Sequence, residues 1–493
     1  MSSSIAAPPT PPPLVGPRRT RWARWAAGAL LAALAFFLVW TPLMGDQSLM
    51  LIVGRDVMAG RHLYSGIFDA KQPGMYLWYG GVDLLGGMVA AQLGSVLVVL
   101  LTAGVVARIV RPRLADDRVR AWAPFLVVFT MLVSIDLYAM GQTELLMCLP
   151  SALVVLLLAG RSEGPTTLPR AGLAGVCLGV VVVFKTVLAV VPGIAVLVLL
   201  LMSTRRWWNL AAASVGTLVV PAAVVAWLAV RGDLDAALWT WFVYPEEVLA
   251  VADVRDPHRL VLAVARFAVL FAPAIVLAAW RVPSILRRRE PLDLALLAWL
   301  VVGVAVYAVQ VWWSYYLLIL LPALVVLAVR QLDDLVVRGL RRIVAAGLAL
   351  LTLPGLVYGG LTLGRALLDG GGVTAASRAQ IAERIGAYDT IAGQTAAVLR
   401  PDDSLYVLGD PRYQLVADRD IPVTTNGWSA AVLPSQRWDA LAGEIHAARP
   451  DVVLVDGVSA DAMAQRGQTL RAVLDADYRI DTTNDAGTWY RHR

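Results

Sequence analysis

Apolar runs long enough to cross a bilayer alternate with short charged connections from Trp22 to Leu363, after which the pattern changes. A spanning helix needs about 20 mainly apolar residues, and the runs predict about eleven spans. They fall near residues 25–44, 87–110, 119–138, 143–160, 171–186, 188–204, 208–230, 260–280, 293–311, 315–330 and 343–363. Residues 73–85 read as a short interfacial helix rather than a span. The Pro- and Ser-rich start cannot build a core, so residues 1–24 are expected to form a disordered cytoplasmic tail. The run after Arg24 is longer than a signal-peptide core and lacks a small-residue cleavage site before Asp46, which predicts an uncleaved first span.

Past the last run the sequence turns polar, and strand-like segments alternate with helical ones. Gly370 to Gly372 reads as a joint and residues 377–400 as an amphipathic helix. Ser404 to Gly409 and Asp451 to Gly457 read as strands, Pro434 to Pro450 as a helix, and Asp485 to Gly487 as a hairpin turn. The expected organisation is a membrane domain over 25–365, with its first outer loop at 44–86, and an extracytoplasmic soluble α/β domain with a partly parallel sheet over 366–493.

Composition agrees with a polytopic α-helical membrane protein: 58% of residues are hydrophobic, 16% are charged and the mean hydropathy is +0.67. The net charge of +6 could indicate nucleic acid, but the arginines sit in short clusters between apolar runs. Arg111 to Arg120, Arg161 and Arg170, Arg205 and Arg206, Arg281 to Arg289 and Arg330 to Arg342 all fall in alternate connections, as the positive-inside rule asks of cytoplasmic loops. Alternation therefore places the N-terminus in the cytoplasm of a cell-membrane protein and the C-terminal domain outside. Cys148 and Cys177 lie in apolar runs, so no disulfide framework is expected. The four histidines are scattered and imply no metal, and no cofactor is expected.

Chemistry is sought where charged groups meet the outer face, because ionisable residues beside spans are costly. Asp46 follows the first run directly, and either anchors an acid at the interface or caps the next helix. Asp69 and Lys71 precede a Pro73-Gly74 turn that would hold the ammonium at the membrane surface. Of 42 Lys and Arg residues only Lys71 and Lys185 are lysine, so these positions select a compact point charge. Lys185 otherwise reads as a snorkelling side chain. Glu144 and Arg255 add further outer charges, and Trp239, Trp241, Tyr244, Trp312 and Trp313 read as an aromatic belt. Asp475-Ala476-Asp477 matches a D-x-D pattern in an Asp-rich domain, where a lid or acceptor-docking module is the plainer reading.

These residues, in order, carry a resemblance. Asp46, the D-x-K-Q-P-G of Asp69 to Gly74, the turn Gly141-Gln142-Thr143-Glu144, Phe184-Lys185-Thr186 and Ser314-Tyr315-Tyr316-Leu317-Leu318 before Pro322 resemble the GT-C superfamily of membrane glycosyltransferases. Within it the chain is similar to the protein-mannosyltransferase and aminoarabinose-transferase branch. The resemblance implies transfer of a sugar from a polyprenyl-phosphate donor to a lipid, glycan or protein acceptor outside the membrane, with inversion. It implies that Asp46 is the general base and Lys71 a partner of the donor phosphate. Asp69, Glu144, Lys185, Arg255, Tyr315 and Tyr316 are the further candidates for substrate binding. Gln47 stands where the family commonly pairs a second acid, and Tyr315 where it often has a histidine. Two other classes fit the topology. A lipid or sugar transporter predicts paired repeats with broken helices, which are not visible, and a noncatalytic assembly factor leaves the outer charges without a role.

Overall fold

The computed structural model describes residues 17–39, 43–133, 140–159, 166–251, 256–342, 346–347, 388–428 and 433–493. Most of the expected tail, all but two residues of the 343–363 run, the Gly370 joint, residues 377–387 of the expected amphipathic helix, Arg161 and Arg255 lie outside these. The membrane region is built from α1 (Pro17–Val39), α2 (Gly45–Met58), α3 (Pro73–Val110), α4 (Asp117–Val133), α5 (Thr143–Ala159), α6 (Leu168–Phe184), α7 (Thr186–Leu201), α8 (Arg206–Arg231), α9 (Leu234–Phe242), α10 (Tyr244–Leu249), α11 (Pro257–Arg288), α12 (Pro291–Val309) and α13 (Leu321–Val337). The chain is helical from Pro17, earlier than the expected start at 25, so the arginines from Arg18 to Arg24 belong to α1.

Among the described residues five helices are long and apolar enough to cross a membrane: Pro73–Arg113, Arg206–Arg231, Pro257–Arg288, Pro291–Val309 and Ser314–Val337. Three expected spans are shorter apolar helices, α5 and α6 of 17 residues and α7 of 16. At about 1.5 Å per residue such helices reach about 25 Å, less than a hydrocarbon core of about 30 Å. α3 runs through both the expected interfacial helix and the expected span, and kinks between them at Gly86 (φ 150°) and Gly87 (φ 61°), where side-chain-bearing residues would be strained.

Apolar faces of α1, α3 to α7 and α11 to α13 share one core, with Trp299 fully buried and its indole donating to the Ile319 carbonyl at 3.0 Å. At one end of the bundle the basic clusters are paired. Arg281, 2% exposed, bonds Asp293 at 2.7 Å and Asp334 at 3.1 Å, and Arg330 bonds Glu290 and Asp293. Asp333 accepts the Ala115 and Asp116 amides and so ties the start of α4 to α13.

The opposite end has a different core. α2 is buried almost all round, and Leu49, Met50, Ile52 and Val53 pack with Tyr76 and Tyr79 of α3 and with Tyr406, Leu408 and Trp438 of the C-terminal unit. Full burial of each such aliphatic chain stabilises by about 1.5–3 kcal/mol. That unit is a four-stranded sheet, β1 (Leu405–Leu408), β2 (Val452–Val455), β3 (Tyr478–Asn484) and β4 (Gly487–His492), in the order β1-β2-β4-β3. β1 and β2 are parallel, while β4 runs antiparallel to both of its neighbours. Helices Ser435–Ala448, Gly457–Arg466 and Gln468–Asp477 cover it.

α2 and α3 touch backbone to backbone. A Cβ on Gly54 would lie 2.5 Å from the Gly80 nitrogen and 2.8 Å from the Tyr76 carbonyl oxygen. Neither neighbour is a flexible side chain, so the helices must separate. Gly54→Ala is expected to destabilise by about 1–3 kcal/mol, seen as a lower melting temperature in detergent; an unchanged melting temperature would refute this close packing.

Candidate active site

The loop from α2 to α3 folds back so that three charged side chains meet. Asp46 lies in the first turn of α2, but its carboxylate does not cap the helix. Met44 is the N-cap, and its amide donates to Gln47 Oε1 at 3.0 Å, while Gln47 Nε2 donates to the Met140 carbonyl at 2.5 Å. The expected capping role thus falls to Gln47, the residue standing in the place of a second acid, and Asp46 is released to face inward.

Both oxygens of Asp46 are occupied. Oδ1 accepts from Lys71 Nζ at 3.2 Å and from the Trp428 indole Nε1 at 2.8 Å. Oδ2 accepts from Gln142 Nε2 at 3.0 Å and from the Tyr315 hydroxyl at 3.5 Å. Burial works to raise the Asp46 pKa, but the Lys71 charge and the bonds from Trp428, Gln142 and Lys71 outweigh it, and the carboxyl titrates below 3.8. Burial likewise works against the Lys71 ammonium, but Asp46 and then Asp69 outweigh it and push its pKa well above 10.5. The pair is therefore ionised throughout the physiological range.

Lys71 is aimed by its own loop. Asp69, buried at 2% exposure, holds Lys71 Nζ at 3.5 Å and is fixed by the Tyr76 hydroxyl at 2.7 Å and the Ala70 amide at 2.8 Å. The Tyr64 hydroxyl donates to the Lys71 carbonyl at 2.8 Å and accepts from the Trp241 indole at 3.0 Å. Tyr64 has φ 71°, a conformation that costs of order 1–3 kcal/mol in a bulky residue and persists where surroundings over-determine it.

A second ion pair stands beside the first. Lys185 is the extended residue between α6 and α7, and its Nζ bonds Glu144 Oε1 at 2.7 Å and sits 3.2 Å from the centroid of the Tyr316 ring. Glu144 is 1% exposed, and its other carboxylate oxygen has no hydrogen-bond partner among the described residues. Gln72, next to Lys71, accepts from the Thr186 amide at 2.8 Å and so joins the two centres. The Tyr315 and Tyr316 rings, 5.1 Å apart, bridge them again.

Seven candidates, Asp46, Asp69, Lys71, Glu144, Lys185, Tyr315 and Tyr316, thus form one connected constellation; Arg255 lies outside the described residues. Three partners were missed from sequence. Gln142 sits in the quoted turn without a role, Tyr76 in a segment read only as a short interfacial helix, and Trp428 in a segment with no signal at all. The supposed belt is partly structural: Trp239, Tyr244 and Phe68 pack together with Arg437 4.0 Å above Trp239, and Trp313 stacks on Tyr315. The D-x-D acids lie elsewhere, with Asp477 bonded to His446 at 2.7 Å. Among the described residues no group of three or more His, Cys, Asp or Glu could hold a metal ion.

No protein-family model matches the chain, and no curated protein matches its sequence. Solved structures do match its fold. ArnT from Cupriavidus metallidurans in the apo state superposes with a TM-score of 0.64 at 16% identity, covering 96% of this chain and 98% of that one. The same protein bound to undecaprenyl phosphate gives 0.59 at 17% identity over the same shares. At such identities the likeness shows the fold alone, a mostly helical polytopic bundle with a small C-terminal α/β unit.

Proposed function

We propose that the chain is an inverting glycosyltransferase that moves a sugar from a polyprenyl-phosphate donor to a cell-envelope acceptor at the outer face of the membrane. The observation that carries this reading is the Asp46–Lys71 pair at 3.2 Å, at the end of the bundle away from the Arg281 and Arg330 ion pairs, in the fold of a protein crystallised with undecaprenyl phosphate. An acceptor hydroxyl is a poor nucleophile. Asp46 takes its proton as the oxygen bonds to the anomeric carbon. The bond from that carbon to the phosphate oxygen breaks on the opposite side, and polyprenyl phosphate leaves with the electron pair. A single displacement inverts the centre and needs no covalent sugar intermediate.

Lys71 stabilises the departing charge. An ammonium has three N–H donors; two are directed at Asp46 and Asp69, which leaves one for a phosphate oxygen. Charge-directed donors placed before the reaction act where negative charge develops and need no reorganisation. Lys185 and Glu144 are assigned to the next ring of contacts, where the Glu144 carboxylate holds the Lys185 ammonium in place. Arg255 is retained as a further cation for the donor. The acceptor is a lipid, a glycan or a protein.

The test is transfer of label from radiolabelled polyprenyl-phosphate sugar in membranes carrying the wild type, Asp46→Asn or Lys71→Ala. Transfer by the wild type alone is the expected result; equal transfer by all three removes the reading.

A further inference from the structure

The contact that sequence gave no reason to expect lies 382 positions from Asp46. We infer that Trp428, carried by the C-terminal unit, is a positioning residue for Asp46: its indole N–H, 2.8 Å from Oδ1, fixes the carboxylate in the orientation proton transfer requires. The inference rests on the reading of Asp46 as the general base, and it makes the reaction centre a joint product of the membrane region and the C-terminal unit.

The indole is held from several sides. Its ring lies over Gly45, where a Cβ would come within 2.3 Å of ring carbon. Its backbone amide donates to Asn426 Oδ1 at 3.1 Å, and Asn426 Nδ2 donates to the Phe68 carbonyl at 2.6 Å. Phe68 returns its amide to the Thr424 carbonyl at 2.7 Å. Arg61 grips the Ile421 and Val423 carbonyls at 2.7 and 2.8 Å, and Glu444 holds the Thr425 amide and hydroxyl. The segment that ends in Trp428 is therefore pinned along its length to the same loop that carries Asp69 and Lys71. Such pinning fixes where the indole can lie, which surface docking of a separate domain would not need.

Chemistry explains why a tryptophan serves. An indole N–H donates and cannot accept, so it bonds the ionised carboxylate and cannot take the proton that Asp46 must receive. With Trp428 on Oδ1 and Gln142 on Oδ2, the carboxylate plane is set from two sides. The charged and titratable groups facing Asp46 are Lys71 from the loop, Tyr79 from α3 and Tyr315 from the segment before α13; Asp69 stands behind Lys71, and the Glu144–Lys185 pair behind Tyr315 and Tyr316. The Trp428 bond also adds to the forces that keep Asp46 ionised.

Two variants of the purified full chain separate the donor from the packing. Trp428→Phe removes the N–H and leaves a shorter apolar ring, while Gly45→Ala keeps the indole and pushes it away. The Asp46 carboxyl is titrated by difference infrared spectroscopy against Asp46→Asn, and turnover is followed with undecaprenyl-phosphate-linked radiolabelled sugar. Both variants are expected to raise the Asp46 titration midpoint and to lower kcat by about 3- to 10-fold, the size of one net hydrogen bond. KM for the donor stays unchanged, and the acid limb of kcat moves to higher pH with the infrared midpoint. Gly45→Ala decides the matter if Trp428→Phe does not accumulate. A wild-type midpoint overturns the inference, including when kcat falls together with the melting temperature. Transfer by Asp46→Asn would instead remove the base reading, and the infrared midpoint would still decide the role of Trp428.

Discussion

Asp46→Asn lowers kcat for sugar transfer by about 10²–10⁴-fold, the contribution of a positioned general base, and leaves KM for the polyprenyl-phosphate sugar nearly unchanged. Asparagine keeps the shape of the side chain but removes the basic oxygen. It also sets an N–H against donors on either side, because Trp428 and Lys71 point at Oδ1 while Gln142 and Tyr315 point at Oδ2. The Gln142 amide can turn to accept, so the fold is expected to survive. Steady-state kinetics with purified protein check the division between kcat and KM. A rise in KM at constant kcat would make Asp46 a binding residue that acts equally on substrate and transition state.

Lys71→Met has the second large effect and acts on both chemistry and stability. Loss of one preorganised cation at a developing charge costs about 10²–10³-fold in kcat. The substitution also leaves Asp69, at 2% exposure, and Asp46 without their shared cation. Breaking a buried pair by removing one partner destabilises by about 3–5 kcal/mol, which a thermal melt in detergent reads directly. Lys71→Arg is not expected to restore turnover, because a planar guanidinium fork does not fit a point-charge site between two carboxylates.

The pH profile of Lys71→Met moves in a defined direction. In the wild type the Asp46 carboxyl is held below its ordinary 3.8. Its stabilising contribution is complete above that value and lost only as pH falls through the lower native one. The midpoint of any Asp46 limb in the wild-type kcat/KM is therefore expected below pH 3.8. Without Lys71 the strongest lowering influence is gone and burial remains, so the midpoint rises and an acid limb appears at higher pH. A profile that keeps its wild-type acid side would contradict the assigned coupling.

Sequence made the acids and ammonium groups of the site legible because charge beside an apolar run is conspicuous. Asp46, Asp69, Lys71, Glu144 and Lys185 are each forced toward water or a partner by the cost of lipid, and they find each other for that reason. The break between residues 73–85 and the following apolar run was legible, and α3 kinks there, at the paired glycines Gly86 and Gly87. In the C-terminal unit Ser404 to Gly409 read as strand-like and Asp451 to Gly457 as a buried run, and β1 and β2, which fall there, are both buried along their length. What pattern could not supply was long-range partnership. Nothing local in Asn426-Gly427-Trp428 says that the indole meets an acid at the head of α2, and nothing in the arginine clusters says that Arg281 joins α12 and α13 through Asp293 and Asp334. Those contacts depend on how helices pack, and a periodicity of 3.6 fixes the face of a helix but not its neighbour.

The central claim is that an acid and an ammonium converge to handle a lipid phosphate at one end of the bundle. It is tested most directly by a structure of the full chain with undecaprenyl phosphate bound. The account predicts a phosphate oxygen within hydrogen-bond reach of Lys71 Nζ, about 2.7–3.2 Å, with Asp46 facing an open space beside it. A headgroup held instead at the opposite end, among Arg281, Arg288 and Arg330, would contradict it.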